Sequence, residues 1–193
     1  MVNKDLDTDR RPGVSRRAFL RGAGIVAVGM AASRRTLAAE QRRELSFVHT
    51  HTGERLTAAY FVAGAYCEAV LAQVNQLLRD FRTETVFPID RGVLDRLFAV
   101  QALTGSHEPF EVISGYRSPA TNAALRSNSH GVAEHSLHMQ GRAIDVRLSG
   151  FSTERLALLA RSQMGGGTGF YRVSDFVHLD TGAVRIWGDR LEA

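Results

Sequence analysis

The chain has a single cysteine, Cys67, which excludes any internal disulfide. Cys67 lies in Ala65-Tyr66-Cys67-Glu68-Ala69-Val70-Leu71, an apolar helical pattern, so a buried, inert thiol is expected there rather than a nucleophile. Lysine is absent after Lys4, and the arginines that follow are scattered. No basic stripe exists to neutralise phosphates, so nucleic acid is excluded as a partner. Only 4 prolines occur, with no Pro/Gly-rich linker, internal repeat or low-complexity segment to divide the chain. Long hydrophobic runs are also missing. The apolar stretch Gly22 to Ala32 falls well short of the roughly 20 residues a membrane helix requires.

The N-terminal region accounts for the excess of positive charge. Ser15-Arg16-Arg17-Ala18-Phe19-Leu20-Arg21 has the form Ser-Arg-Arg-x-Phe-Leu-basic, which reads as a bacterial twin-arginine export signal. The apolar run follows it directly, and Ala38-Ala39 supply small residues suited to a signal-peptidase site. Residues 1–39 are therefore expected to be a signal peptide and residues 40–193 a single domain, exported to the periplasm with no stable membrane span once the signal is removed. The whole chain carries 24 Lys/Arg against 20 Asp/Glu, a net +4, but residues 1–39 hold 8 of the basic and 3 of the acidic residues. The remaining 154 residues thus have 16 basic and 17 acidic side chains, a net −1, and are long enough for an ordinary hydrophobic core.

Periodicity gives the frame. Leu45 to His49 and Leu56 to Phe61, flanking Thr52-Gly53-Glu54, predict a β-hairpin. Val62 to Phe81 has apolar residues at helical spacing, with Leu71, Val74, Leu77, Leu78 and Phe81 on one side. Asp90 is placed to cap a second helix ending at Gly105, Pro119 to a short helix's first turn, and Ser152 to cap a last helix through Ala160. Glu111 to Tyr116, Arg142 to Leu148, Thr168 to Tyr171, Phe176 to Leu179 and Val184 to Trp187 read as strands. Helices ahead of most strands argue an α+β domain with helices packed on a mainly antiparallel sheet.

Three residues stand out chemically. His138, Asp145 and His178 offer two imidazoles and a carboxylate, a set that holds zinc and leaves a position for water and substrate. Within Arg142 to Leu148, alternation puts Asp145 opposite Ile144 and Val146, so the apolar side can pack while the carboxylate faces a cleft. An unpaired carboxylate in mid-strand is costly, and a metal is one compensation. His178 alternates in the same way between Val177 and Leu179, and Gly141 permits close approach of the His138 loop to its strand. The spacing leaves alternatives open: either histidine would be ordinary as a partly buried side chain, Asp145 has Arg147 or Arg117 to pair with, and His130 and His135 are rival ligands. His49 and His51 read as structural or exposed, and His107 sits in a polar turn.

The string Ser136-Leu137-His138-Met139-Gln140-Gly141-Arg142-Ala143-Ile144-Asp145 matches Ser-x-His-x-x-Gly-x-Ala-x-Asp. It resembles the zinc peptidases of the D-Ala-D-Ala metallopeptidase, lysostaphin and hedgehog-like superfamily. Ser114-Gly115-Tyr116-Arg117-Ser118-Pro119 resembles the superfamily's Arg-bearing segment, and Asp175-Phe176-Val177-His178 its acid-x-x-His element, where many relatives carry Glu in place of Asp175. Leu137-His138-Met139-Gln140-Gly141 and Val177-His178-Leu179-Asp180-Thr181-Gly182 point to the murein endopeptidase K-like branch, with the likeness running from about Leu45 to Trp187.

The resemblance implies a hedgehog/DD-peptidase-like fold with Zn²⁺ on His138, Asp145 and His178. It implies Asp175 as general base, Arg117 as donor to the tetrahedral oxyanion, and Ser136 as a substrate contact or a loop-holding hydroxyl. Asp175 is offset by three from His178 and must lie in a turn for its carboxylate to reach the same face. Asp180 is a candidate partner for a ligand imidazole. Peptidoglycan is the expected partner and a monomer the expected state. The expected reaction is cleavage of stem peptides or their crosslinks by metal-activated water. A D,D- or L,D-carboxypeptidase and a non-catalytic peptidoglycan-binding module are the alternatives.

Overall fold

In a computed structural model, residues 42–128 and 132–190 are described. The expected signal segment, residues 1–39, and the rival ligand His130 lie outside the described residues. Eight strands form one mixed sheet in the order β3-β2-β1-β4-β5-β7-β6-β8. They are β1 Arg43–His49, β2 Arg55–Val62, β3 Ala65–Tyr66, β4 Phe110–Ser114, β5 Ala143–Leu148, β6 Gly167–Tyr171, β7 Phe176–Asp180 and β8 Arg185–Gly188. The helices are α1 Glu68–Leu77, α2 Arg91–Thr104, α3 Pro119–Asn128 and α4 Thr153–Ser162, with a 3₁₀ turn at Leu137–Gln140. Five of the seven strand pairings are antiparallel; β1 with β4 and β6 with β8 are parallel. The α+β architecture with a mainly antiparallel sheet is the one the sequence predicts.

Local chemistry explains most boundaries. The Asp90 carboxylate accepts from Gly92 N–H at the start of α2, and Gly105 ends that helix at φ 69°. Ser152 Oγ accepts from Arg155 N–H and starts α4. One expectation fails: the helix predicted from Val62 occupies only Glu68–Leu77. Ala63 and Gly64 take left-handed φ values of 52° and 85°, and the chain doubles back so that Ala65 and Tyr66 pair with the end of β2. Cys67 consequently sits half-buried at the N-cap of α1, ahead of the helix rather than within it.

The apolar faces of the strands and helices form one core. Ile144, Val146 and Leu148 of β5 and Val177 and Leu179 of β7 are buried with Leu94, Leu97 and Leu156 from α2 and α4. Burying side chains of this kind is worth about 1.5–3 kcal/mol each. The alternation that sends these residues inward sends Asp145 and His178 to the opposite face of the sheet.

Candidate active site

Asp145 and His178 are cross-strand partners at the middle of the β5–β7 ladder. Next to them, the β4–β5 register shifts between Val112 and Ser114, which sets Ser114 opposite Asp145. Irregularities of this sort re-aim side chains beside functional sites. His138 comes from the 3₁₀ turn, where Ser136 Oγ caps the turn by accepting from His138 N–H at 3.3 Å. That bond gives Ser136 a loop-holding role. Gly141 closes the turn at φ 65°, and a Cβ there would come within 2.1 Å of the Pro88 carbonyl oxygen, so the approach foreseen from the sequence requires glycine.

The three side chains converge. His138 Nε2 lies 3.3 Å from Asp145 Oδ2 and 3.2 Å from His178 Nδ1, and His178 Nδ1 lies 2.9 Å from Asp145 Oδ1. His138 Nδ1 is 2.7 Å from the Gly115 carbonyl, which can only accept, so Nδ1 carries the proton and Nε2 keeps its lone pair. His178 Nε2 is 3.0 Å from Asp180 Oδ2 and donates to it, leaving Nδ1 as the lone-pair atom. Asp180 is fully buried; it also accepts from the backbone N–H groups of Gly167 and Gly182 and from Arg185.

The electrostatics favour electron-pair donation by His138 and Asp145, while His178 is drawn towards protonation by its two carboxylate neighbours. Burial pushes the His138 imidazole towards its neutral form. Burial alone would raise the Asp145 carboxyl, but the charges and hydrogen bonds of His138 and His178 hold it well below the usual carboxylate range. Burial also opposes protonation of His178, yet its bonds to Asp145 and Asp180 raise its pKa on balance. Three lone-pair atoms pointed at one another are compensated by a proton on His178 Nδ1 or by a metal cation between them. Donors bound tetrahedrally at about 2.0 Å lie about 3.3 Å apart, close to the separations here, so the set fits a zinc-sized ion. Each of the two imidazoles is also held through its far nitrogen, a support common to metal-binding histidines. Among the described residues, this is the one group of three or more His, Cys, Asp or Glu side chains arranged to hold a metal.

The cluster opens into a cleft of about 430 Å³. Arg117, from the segment between β4 and α3, reaches its base and donates to Ser114 Oγ at 3.3 Å and Asp145 Oδ2 at 3.4 Å. His135 lines the rim and is exposed, outside the convergent set. His49 is fully buried away from the site, its Nδ1 accepting from the backbone N–H of His51 and Thr52, which is a structural role. Asp175 sits in the turn between β6 and β7, as its offset from His178 requires, at a left-handed φ of 51°. Its carboxylate accepts from Arg147 Nη1 at 3.3 Å, and Ser174, not Asp175, lines the cleft.

Sequence reasoning missed one wall of the cleft. Tyr171, Phe176, Arg185 and Trp187 line it. Gly169 makes this possible, because a Cβ there would lie 2.6 Å from Trp187 Cε2; without one, the indole lies across β6 with its ring 5.1 Å from that of His178. The wall depends on β8 pairing in parallel with β6, for which the sequence holds no local signal.

A family model described as peptidoglycan L,D-endopeptidase MepK matches residues 37–187. The peptidoglycan L,D-endopeptidase MepK of Escherichia coli strain K12 is 40% identical over 152 residues, covering 79% of this chain and 84% of the relative. The probable peptidoglycan L,D-endopeptidase MepK of Haemophilus influenzae is 40% identical over 146 residues, 75% of this chain and 78% of the relative.

Proposed function

The chain belongs to the peptidoglycan L,D-endopeptidase MepK family, and from that premise we propose that it is a zinc-dependent hydrolase of crosslinked peptidoglycan stem peptides. The observation that carries the reading is the convergence of His138 Nε2, His178 Nδ1 and the Asp145 carboxylate at the base of an open cleft, with both imidazole tautomers fixed from behind. The proposed ligands are His138, Asp145 and His178. Zinc bound there supplies Lewis acidity, which polarises a carbonyl and lowers the pKa of water.

The chain's own groups are proposed to do the rest. Asp175 takes the proton of the attacking water and returns it to the leaving amine. Its position supports this: Arg147, which holds its carboxylate, lies two residues from Asp145 on the same face of β5, and the half-exposed side chain sits in a turn beside the cleft. Arg117 is already at the base of the site and donates to the oxygen that becomes negative in the transition state. Ser136 holds the His138 turn and lines the cleft beside any bound peptide.

The proposed organisation is a twin-arginine signal at residues 1–39 and a peptidase domain at 40–193, acting as a monomer on peptidoglycan in the periplasm. No helix among the described residues is long and apolar enough to cross a membrane. The test is digestion of purified peptidoglycan by the zinc-loaded mature protein, with chromatography of the products. Loss of crosslinked dimers through L,D bonds is expected, abolished by chelator and restored by zinc. Release of terminal D-alanine with crosslinks intact would make the protein a carboxypeptidase. Binding without cleavage would make it a recognition module.

A further inference from the structure

The cleft is lined by two arginines, Arg117 and Arg185, and a single carboxylate, Asp145, which belongs to the ligand cluster. The lining itself thus presents two guanidinium groups against one carboxylate, although the domain's net charge is −1. Arg117 is deep, with 11% of its side chain exposed, and faces Asp145. Arg185 stands at the edge, with 46% of its side chain exposed.

A half-exposed arginine is ordinarily free to sample many rotamers, but this one is held. Its Nη2 donates to Asp180 Oδ2 at 2.7 Å, and Nη1 donates to Asp180 Oδ1 at 3.3 Å and to the Ala183 carbonyl at 3.1 Å. Its Cζ lies 4.9 Å from the centre of the Trp187 ring. Two glycines form its slot: a Cβ on Gly167 would come within 2.9 Å of Cζ, and one on Gly182 within 2.9 Å of Nη1. The three bonds use three of the five N–H donors of a guanidinium, and the side chain that carries the other two lines the cleft.

We propose that Arg185 is the specificity-determining residue of this cleft and binds a free carboxylate on the substrate peptide close to the scissile bond. The planar guanidinium fork matches a carboxylate, and fixing it beforehand removes the entropy that a mobile side chain would lose on binding. Asp180 joins Arg185 to His178. The carboxylate subsite is thus separated from the ligand cluster by the width of one side chain. The proposal rests on the peptidase reading and adds to it the charge that the substrate must carry. In a peptide whose diamino acid is crosslinked through its side-chain amine, two carboxylates are available: the one on the diamino acid and the one at the chain terminus.

The test uses three versions of one crosslinked muropeptide: native, amidated on the diamino-acid carboxylate, and amidated at the chain terminus. Wild type, Arg185→Gln and Arg185→Lys are compared after zinc loading, with bound zinc measured for each. Wild type should lose about 10- to 100-fold in kcat/KM on one of the two amidations, mainly through KM, and the sensitive position identifies the carboxylate. Arg185→Gln should lose a similar factor on the native peptide and no longer respond to that amidation. Arg185→Lys should fall between, keeping the charge without the fork. Equal cleavage of all three peptides by wild type overturns the proposal, and this arm needs no variant to fold. A uniform loss by Arg185→Gln on every peptide also overturns it, because Arg185 would then act only through Asp180. If wild type cleaves none of the three, the peptidase reading itself falls and takes this proposal with it.

Discussion

His138 and His178 present different ring nitrogens to one point, Nε2 from one and Nδ1 from the other, 3.2 Å apart. The difference arises behind the rings. Gly115 O accepts from Nδ1–H of His138, and the Asp180 carboxylate accepts from Nε2–H of His178. The convergence is therefore specified by the groups behind the rings as much as by the rings themselves.

Asp180→Asn isolates that support. Asn keeps the shape of the side chain but weakens the acceptor for His178 Nε2–H. Zinc affinity should fall by about 10- to 100-fold, as for other partners of ligand histidines. Competition with a chromophoric chelator measures it, and an unchanged affinity would remove Asp180 from the site.

Asp175→Asn and Arg117→Ala separate chemistry from metal binding, because neither residue is a proposed ligand. Both should retain zinc. Asp175→Asn should slow hydrolysis of crosslinked muropeptides by about 10²–10⁴-fold, since a carboxamide does not accept the proton. Arg117→Ala should lose about 10²–10³-fold, mainly in kcat, because the charge it meets develops in the transition state. Wild-type turnover by Asp175→Asn would leave the ion pair with Arg147 as that residue's role.

Asp80 provides a pH-dependent test of the scaffold. It is buried, and its carboxylate accepts from the backbone N–H of Arg82 and Ser118, the residue after Arg117. Burial opposes ionisation, but hydrogen bonds from Ser118, Thr121 and Arg82 bring the pKa down from 3.8 to about 2. The folded value lies below the unfolded one, so this stabilisation is fully present above about pH 4 and is lost as the pH falls through about 2. It amounts to about 2 kcal/mol. Asp80→Asn should therefore lower the urea midpoint at pH 7 and flatten its dependence between pH 4 and pH 2. Arg117 should also be less well placed, with reduced kcat and unchanged zinc content. An acid limb identical to that of wild type would contradict this account.

The export reading rests on Arg16 and Arg17. Replacing both with Lys keeps the charge and removes the guanidinium pair. Fractionation should then find the protein in the cytoplasm, and normal periplasmic accumulation would refute a twin-arginine signal.

What was legible in the sequence was local. The hairpin of β1 and β2, the Asp90 and Ser152 caps, and the inward–outward alternation of β5 and β7 all follow from patterns within a few residues of one another. The convergence of His138, Asp145 and His178, the proposed ligands, was foreshadowed because a motif names them, and Asp180 because it lies two residues from His178. The start of α1 was misread because apolar residues from Val62 onward fit a helix as well as they fit a strand end. The left-handed pair Ala63 and Gly64 leaves only a weak trace in sequence. Asp80 and the Arg185–Trp187 wall were not legible. Asp80 meets a segment 38 residues away, and the wall exists only because β8 returns beside β6. Long-range pairing of this kind has no periodic signature in the chain.

The most direct measurement of the central claim is a zinc titration of the metal-free mature protein, with hydrolysis of a crosslinked muropeptide followed at each point. Activity should rise in proportion to bound zinc and stop at one ion per chain. His138→Ala, Asp145→Ala and His178→Ala should each bind no zinc at that affinity and hydrolyse nothing, while His130→Ala and His135→Ala bind one ion and stay active. Full zinc binding by any of the three ligand variants, or hydrolysis by wild type that persists without metal, would contradict the account.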